Sequence, residues 1–379
     1  MGAGLLGGTA VYLGACGASA PEQQGETAPD AEEQGEQAAP APQAEAEVQW
    51  RMTTSWPVAL DILQGTAQRI ADRVAAMTGG RFQIEVFEAG KIVPGLEVLD
   101  AVQSGTVECG HTATYYFVGK NEAFGIATAL PFGLTPQQQN AWLYHGGGME
   151  AIQKLYADFN AISFPAGNTG TQMGGWFNRE VETVDDLAGL RFRIPGIGGR
   201  VMERLDVDTQ TLPADEIFLA LDRKAIDAAE WIGPYDDKKL GLHEAASYYY
   251  HPGWWEPGPT LDVIVNLDAW NALTPEYQAI FEAAAAEANI WMLSQYEASN
   301  QQALEEIIQS GVEFRAYSED ILTAARDTAF ELYEELASDE PAFREVFEPW
   351  RAFRERIYRW TATNELTFST FAMQEKTGG

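Results

Sequence analysis

A small carboxylate is gripped best by a planar, permanently charged donor pair, and a guanidinium supplies one. The arginine best placed for that work is Arg193, at the carboxyl end of the strand-like run G-L-R-F-R-I-P-G. Upstream, A-I-S-F-P-A-G-N-T-G-T-Q-M-G-G-W leads from an apolar strand candidate into a Gly-rich polar turn with Asn168 and Gln172. Glycine lets a ligand approach the backbone, and strand ends are where open α/β sheets build small-molecule sites. Downstream, Glu230-Trp231 and Glu256 stand in turn-rich sequence of the same kind. Together these residues read as a receptor site for a small carboxylate, held partly through a metal ion. Asn168 either hydrogen-bonds the ligand or holds a left-handed turn.

The charge of the chain sets the terms for such a site. The 379 residues carry 24 Lys+Arg against 56 Asp+Glu, a net charge of -32. That excludes nucleic acid and anionic membrane surfaces as partners, which demand the opposite sign. It also repels an anionic ligand, so a local cation must do the binding. Of the two cysteines, Cys16 and Cys109, Cys109 reads as a buried thiol, and no disulfide framework is implied. His111, His145, His243 and His251 show no metalloprotease spacing, and no Ser or Cys sits in a nucleophile elbow. A metal-dependent enzyme acting on oxo acids is therefore the weaker alternative. A receptor feeding a sensor is another.

The elements that must position these residues follow from patterning. Residues 1–18 read as a lipoprotein-type signal ending near L-G-A-C, with Cys16 as the lipidated residue, and 19–47 as a disordered acidic tether. Residues 48–166 alternate strand and helix patterns in β-α-β-α-β order, which predicts a first α/β domain with a parallel sheet. Its strand ends, at Ser55-Trp56 and Thr112–Phe117, belong on the ligand side. Val107–Thr112 reads as the third strand, followed by Ala113–Phe117; neighbouring strand residues point opposite ways, so only one of Tyr115 and Tyr116 is expected to face the cleft. Residues 167–259 form a second α/β domain, with Thr260–Asn266 a strand crossing back to the first, which about 260–340 completes. Tyr248–Pro259 reads as aromatic and turn-rich. Trp176, Trp254, Trp255, Tyr115 and Tyr116 are available as cleft walls. Thr274–Gly311 is one helical pattern of about 38 residues, or roughly 57 Å, so it spans both domains or kinks between them. Residues 341–379 hold a short helical piece that Pro349 should end, then a last helix and tail. Phe347, Trp350, Phe353, Ile357, Tyr358 and Trp360 there need a surface to bury against.

L-P-A-D-E-I-F-L-A-L-D-R-K-A-I-D-A-A-E-W, L-R-F-R-I-P-G and the opening strand-turn-helix resemble the solute-binding subunits of TRAP transporters, the DctP-type receptors. The resemblance covers nearly all of Gln49–Phe368. G-N-T-G-T-Q-M-G-G-W and P-G-W-W-E-P-G are similar to the subgroup that binds 2-oxo acids or lactate through a metal ion. It implies a two-domain periplasmic-binding-protein-like α/β fold with parallel or mixed sheets, closing on its ligand and handing it to a TRAP permease. It places the carboxylate-binding arginine on Arg193. It places the metal donors, for Na⁺ or Ca²⁺, on Gln172, the Trp231 main-chain carbonyl and Glu256, with Glu230 a further candidate. Ligand contacts extend to Tyr116 and Asn168. Some of the subgroup dimerise through exchanged C-terminal helices, which fits the aromatic last helix. One departure is Lys224-Ala225, where many members have a glycine-containing turn.

Overall fold

The computed structural model describes residues 46–374. The signal, Cys16, nearly all of the tether and the tail 375–379 lie outside the described residues.

Alternating strands build the first sheet from β1 (Val48–Thr54), β2 (Phe82–Phe87), β3 (Cys109–Thr112), β4 (Ala161–Asn168) and β10 (Thr260–Asn266), in the order β2-β1-β3-β10-β4. β1 pairs parallel to β2 and β3, as the β-α-β order requires. β10 returns antiparallel between β3 and β4, which makes the sheet mixed. All seven β10 residues are buried. The second sheet joins β5 (Trp176–Phe177), β6 (Arg191–Arg193), β7 (Asp208–Gln210), β8 (Ala228–Ala229), β9 (Tyr248–His251) and β11 (Glu313–Ala316), in the order β11-β9-β5-β8-β6-β7. β11 pairs with β9, so residues 313–316 extend the second sheet instead of completing the first.

The chain passes between the sheets from β4 to β5 and back from β9 to β10, and the two crossings are laced together. The Thr169 N–H donates to the Pro259 carbonyl at 3.2 Å and the Thr171 hydroxyl to the Pro257 carbonyl at 2.8 Å. Helix Pro275–Gln309 makes a third crossing without a break; its 35 residues run roughly 52 Å. Phe281 and Ala288 lie in the core of the first sheet, while Tyr296 and Ile307 lie in the core of the second.

Three expectations change. Tyr248–Pro259 begins as strand β9 before it turns. Thr114–Phe117 is a 3₁₀ turn, so strand alternation does not apply to Tyr115 and Tyr116. Helix Pro341–Thr363 runs through Pro349. An interior proline costs about 3 kcal/mol. Phe343, Val346, Phe347 and Trp350 are buried on both sides of it, and each such side chain returns about 1.5–3 kcal/mol. Much of the aromatic surface is thus buried on the chain itself, where the Tyr358 hydroxyl donates to the Phe132 carbonyl at 3.0 Å. Trp360, Leu366, Phe368 and Phe371 remain exposed. Lys224 holds φ 56°, the left-handed conformation that suits a glycine at this turn. Cys109 is buried, and burial pushes its thiol pKa up.

Candidate functional site

The site forms where β6, β8 and the two crossing segments end together, and main-chain hydrogen bonds fix their meeting. The Glu230 N–H donates to the Arg193 carbonyl at 3.1 Å, joining the arginine strand to the Glu230-Trp231 turn. The Met173 N–H donates to the Ile232 carbonyl at 3.0 Å, joining that turn to the Gln172 loop. The Gln172 N–H donates to the Glu256 carbonyl at 3.2 Å, and the Gly253 N–H to the Gln172 carbonyl at 2.9 Å. Four stretches distant in sequence thus bring Arg193, Glu230, Trp231, Gln172 and Glu256 into one cluster.

All of them are buried: Arg193 is 1% exposed, Glu230 0%, Gln172 and Glu256 3%, and Trp231 4%. Arg193 is held on two sides. Its Nε donates to the Leu212 carbonyl at 3.1 Å, and its Nη1 to the Glu230 carbonyl at 2.8 Å and to the Glu230 carboxylate. Its guanidinium lies 5.1 Å from the Trp231 ring centre. Nη2 is left without a partner. Also buried and unpartnered are Gln172 Oε1, Glu230 Oε2 and Glu256 Oε2. The Trp231 carbonyl accepts no hydrogen bond from the described residues, whereas its neighbours on Glu230 and Ile232 both do. Buried polar atoms are almost always paired, so a convergent set of orphans marks a place built for something else to bind. One donor and several oxygens match a carboxylate together with a hard cation, which takes oxygen ligands. Among the described residues no group of three or more His, Cys, Asp or Glu side chains is placed to hold a metal ion, so a cation here would need the amide and main-chain oxygens as well.

Burial pushes the pKa of Glu230 and of Glu256 up; the Glu230 carboxylate raises Glu256 further and Asp237 raises Glu230, while Arg193 opposes the shift in both. A cation among them would act in the same sense as Arg193 and hold both ionised.

Tyr115 and Tyr116 both reach the cluster. Tyr115 stands beside Glu256 and Tyr116 beside Arg193, with their rings edge to face at 4.9 Å. In a 3₁₀ turn successive side chains are about 120° apart, not opposed as in a strand, so the expectation of one facing tyrosine fails for that reason. Trp56 adds a wall, 6.4 Å from the Tyr116 ring and 6.5 Å from Trp231. Its place after β1 was the signal for it. The other candidate wall aromatics pack against further rings: Trp254 stacks on Phe132, Trp255 meets Phe192 edge to face, and Trp176 stacks on Tyr249. Asn168 works on the turn. Its Oδ1 accepts from the Gly170 N–H at 2.9 Å and its Nδ2 donates to the Gly258 carbonyl at 3.1 Å. Sequence patterning gave no sign of Asp237, which lies buried behind the Trp231 turn.

The family model described as bacterial extracellular solute-binding protein, family 7 (DctP), matches residues 54–340. A monocarboxylate 2-oxoacid-binding periplasmic protein of Nostoc sp. is 60% identical over 325 residues, 86% of this chain and 89% of that protein. A TRAP transporter solute-binding protein of Bordetella bronchiseptica, a mixed-occupancy dimer with copurified calcium and picolinate in one site, superposes with a TM-score of 0.85 at 41% identity, covering 87% of this chain and 98% of the other. A TRAP periplasmic solute-binding protein of Pseudoalteromonas atlantica with bound sodium and pyruvate gives 0.83 at 35% identity, over 85% and 98%.

Proposed function

The chain belongs to the family 7 bacterial extracellular solute-binding proteins, and from that premise we propose that it is the periplasmic receptor of a TRAP transporter, binding a small monocarboxylate of the 2-oxo acid or lactate type together with Na⁺ or Ca²⁺. The observation that carries this reading is that Arg193, Gln172, Glu230 and Glu256, tied together by main-chain hydrogen bonds, each keep a buried polar atom without a partner. Arg193 takes the ligand carboxylate. Gln172, the Trp231 carbonyl and Glu256 hold the cation, with Glu230 as counter-charge to the arginine and a further oxygen. The cation supplies the positive charge through which a carboxylate and a keto or hydroxyl oxygen are held inside an acidic protein. Tyr115, Tyr116 and Trp56 close the cleft over a short apolar tail. The relatives that bind pyruvate or picolinate with sodium or calcium support the same class.

Release is to the membrane subunits of a TRAP permease, with Cys16 the candidate lipid attachment. The exposed Trp360, Leu366, Phe368 and Phe371 form the contact to a second copy in a homodimer, a state the Bordetella relative shares. Arg193→Lys tests the site. It keeps a charge opposite Glu230 but loses the planar fork, so pyruvate binding by calorimetry should weaken about tenfold or more with the circular dichroism spectrum unchanged. Undiminished affinity would remove Arg193 from the site.

A further inference from the structure

Asp237 has no place in the ligand contacts proposed above, yet it is buried and collects four donors. Its Oδ1 accepts from the Ile232 N–H at 3.2 Å and the Gly233 N–H at 3.1 Å. Its Oδ2 accepts from the Trp176 indole N–H at 2.9 Å and the Tyr249 hydroxyl at 2.7 Å. Burial raises its pKa to about 6 against the four donors that favour the carboxylate, so near neutral pH it is an acceptor-only anion. Among the described residues no Lys or Arg pairs with it, so these four bonds stand in for its lost hydration.

The identity of the donors is informative. Ile232 and Gly233 directly follow Trp231, whose carbonyl is unpartnered. Trp176 opens β5, four residues after Gln172. Tyr249 lies in β9, which leads into the turn bearing Glu256. The Trp176 and Tyr249 rings stack at 4.0 Å, so the two strands are locked as one unit under the carboxylate. Each of the three segments that carries a proposed cation oxygen thus donates to one buried anion. Hydrogen bonds behind a metal's ligands orient them, and losing such a partner commonly lowers metal affinity by about 10–100-fold.

We propose that Asp237 is the positioning residue of the cation site, holding the Trp231 turn, the Gln172 loop and the Glu256 turn at the spacing that a bound Na⁺ or Ca²⁺ requires. It rests on the reading of the site given above. It predicts a specific defect: the cation site loosens while the carboxylate grip of Arg193, on β6, stays in place.

The test titrates pyruvate calorimetrically into the chelated, full-length receptor at a series of Ca²⁺ concentrations. In the parent protein pyruvate affinity rises with Ca²⁺. In Asp237→Asn the Ca²⁺ midpoint should move up about tenfold or more, with pyruvate affinity restored at saturating Ca²⁺. Tyr249→Phe, which removes one donor and leaves the carboxylate, should move it in the same direction by less, and it decides the matter if Asp237→Asn does not fold. A purely structural role would lower the melting temperature of both variants and leave the midpoint where it was, and that result overturns the inference alone. If the parent binds pyruvate with no dependence on Ca²⁺ or Na⁺, the cation site itself fails, and Asp237 has nothing to position.

Discussion

Arg193 and Glu230 are buried against each other, and taking such a pair out of water costs several kcal/mol per ion. Function explains the expense better than stability does. On the proposed reading Glu230 keeps the guanidinium aimed between captures, and the unpartnered Nη2 leaves one donor for the ligand. Asp262 on β10 is a buried carboxyl with a simpler role. The Thr114 hydroxyl donates to its Oδ2 at 3.0 Å, and the titratable groups around it are the hydroxyls of Tyr156 and Tyr144, themselves shifted upward. Burial pushes the Asp262 pKa from 3.8 to about 7. Between those values the folded chain holds a proton that the unfolded chain has released. This group's contribution to stability is therefore greatest at the acid end of the window and declines as pH rises to about 7. Asp262→Asn removes the titration. Thermal melts across the window should show a flatter fall than the parent, with the variant gaining on it up to about pH 7 and no further beyond; an identical slope would show that the proton sits elsewhere.

Among the elements, the two crossing segments carry the site, and Gly253 of one packs directly on the backbone of the other. A Cβ at Gly253 would stand 2.6 Å from the carbonyl oxygens of both Gln172 and Met173. Backbone cannot yield there as a flexible side chain would, so Gly253→Ala must push the Gln172 loop away from the Glu256 turn. Overpacking of this kind costs about 1–3 kcal/mol. The expected outcome is a lower melting temperature and a smaller stabilisation by Ca²⁺ with pyruvate in a thermal-shift assay. Gly119→Ala, with nothing within 4 Å of the added carbon, is the matched neutral control. Much of this architecture was legible beforehand. The alternation of β1 and β2, the Pro275–Gln309 helix and the strand-end position of Arg193 follow from local pattern. β5 did not, because a two-residue strand is defined by the neighbours that pair with it, β8 and β9, and not by its own sequence. Pro349 misled for a related reason: burial of Phe347 and Trp350 overrides a local breaker. Gln172 and Glu256 stand on glycine-rich turns that mark them, whereas Asp237 gains its meaning only when three separate segments fold onto it.

For the molecule as a whole, a site with Arg193 1% exposed cannot be entered without the two sheets parting. The links that span them outside the site then set how readily it opens. Arg200, in helix Gly196–Glu203 after β6, pairs with Glu122, in the loop following β3. On another helix of the second half, Tyr235 donates its hydroxyl to Asp61 at 3.1 Å and Lys239 pairs with the same carboxylate, at the start of helix Asp61–Met77. Partly exposed pairs such as these are worth about 0–1 kcal/mol each, which suits a device that must close and reopen. In a chain of net charge -32 they also count for more at low salt, because screening weakens them within about 10 Å at 0.1 M. Arg200→Ala should therefore raise the pyruvate dissociation rate by up to about fivefold, the equivalent of about 1 kcal/mol, and leave the association rate nearly unchanged. Stopped-flow tryptophan fluorescence would follow both, since Trp56 and Trp231 wall the site. The difference should shrink as salt is added. An off-rate that does not move at low salt would mean the Arg200–Glu122 bridge survives opening, and the control of release would then fall to the Asp61 links or to the helix that crosses both halves.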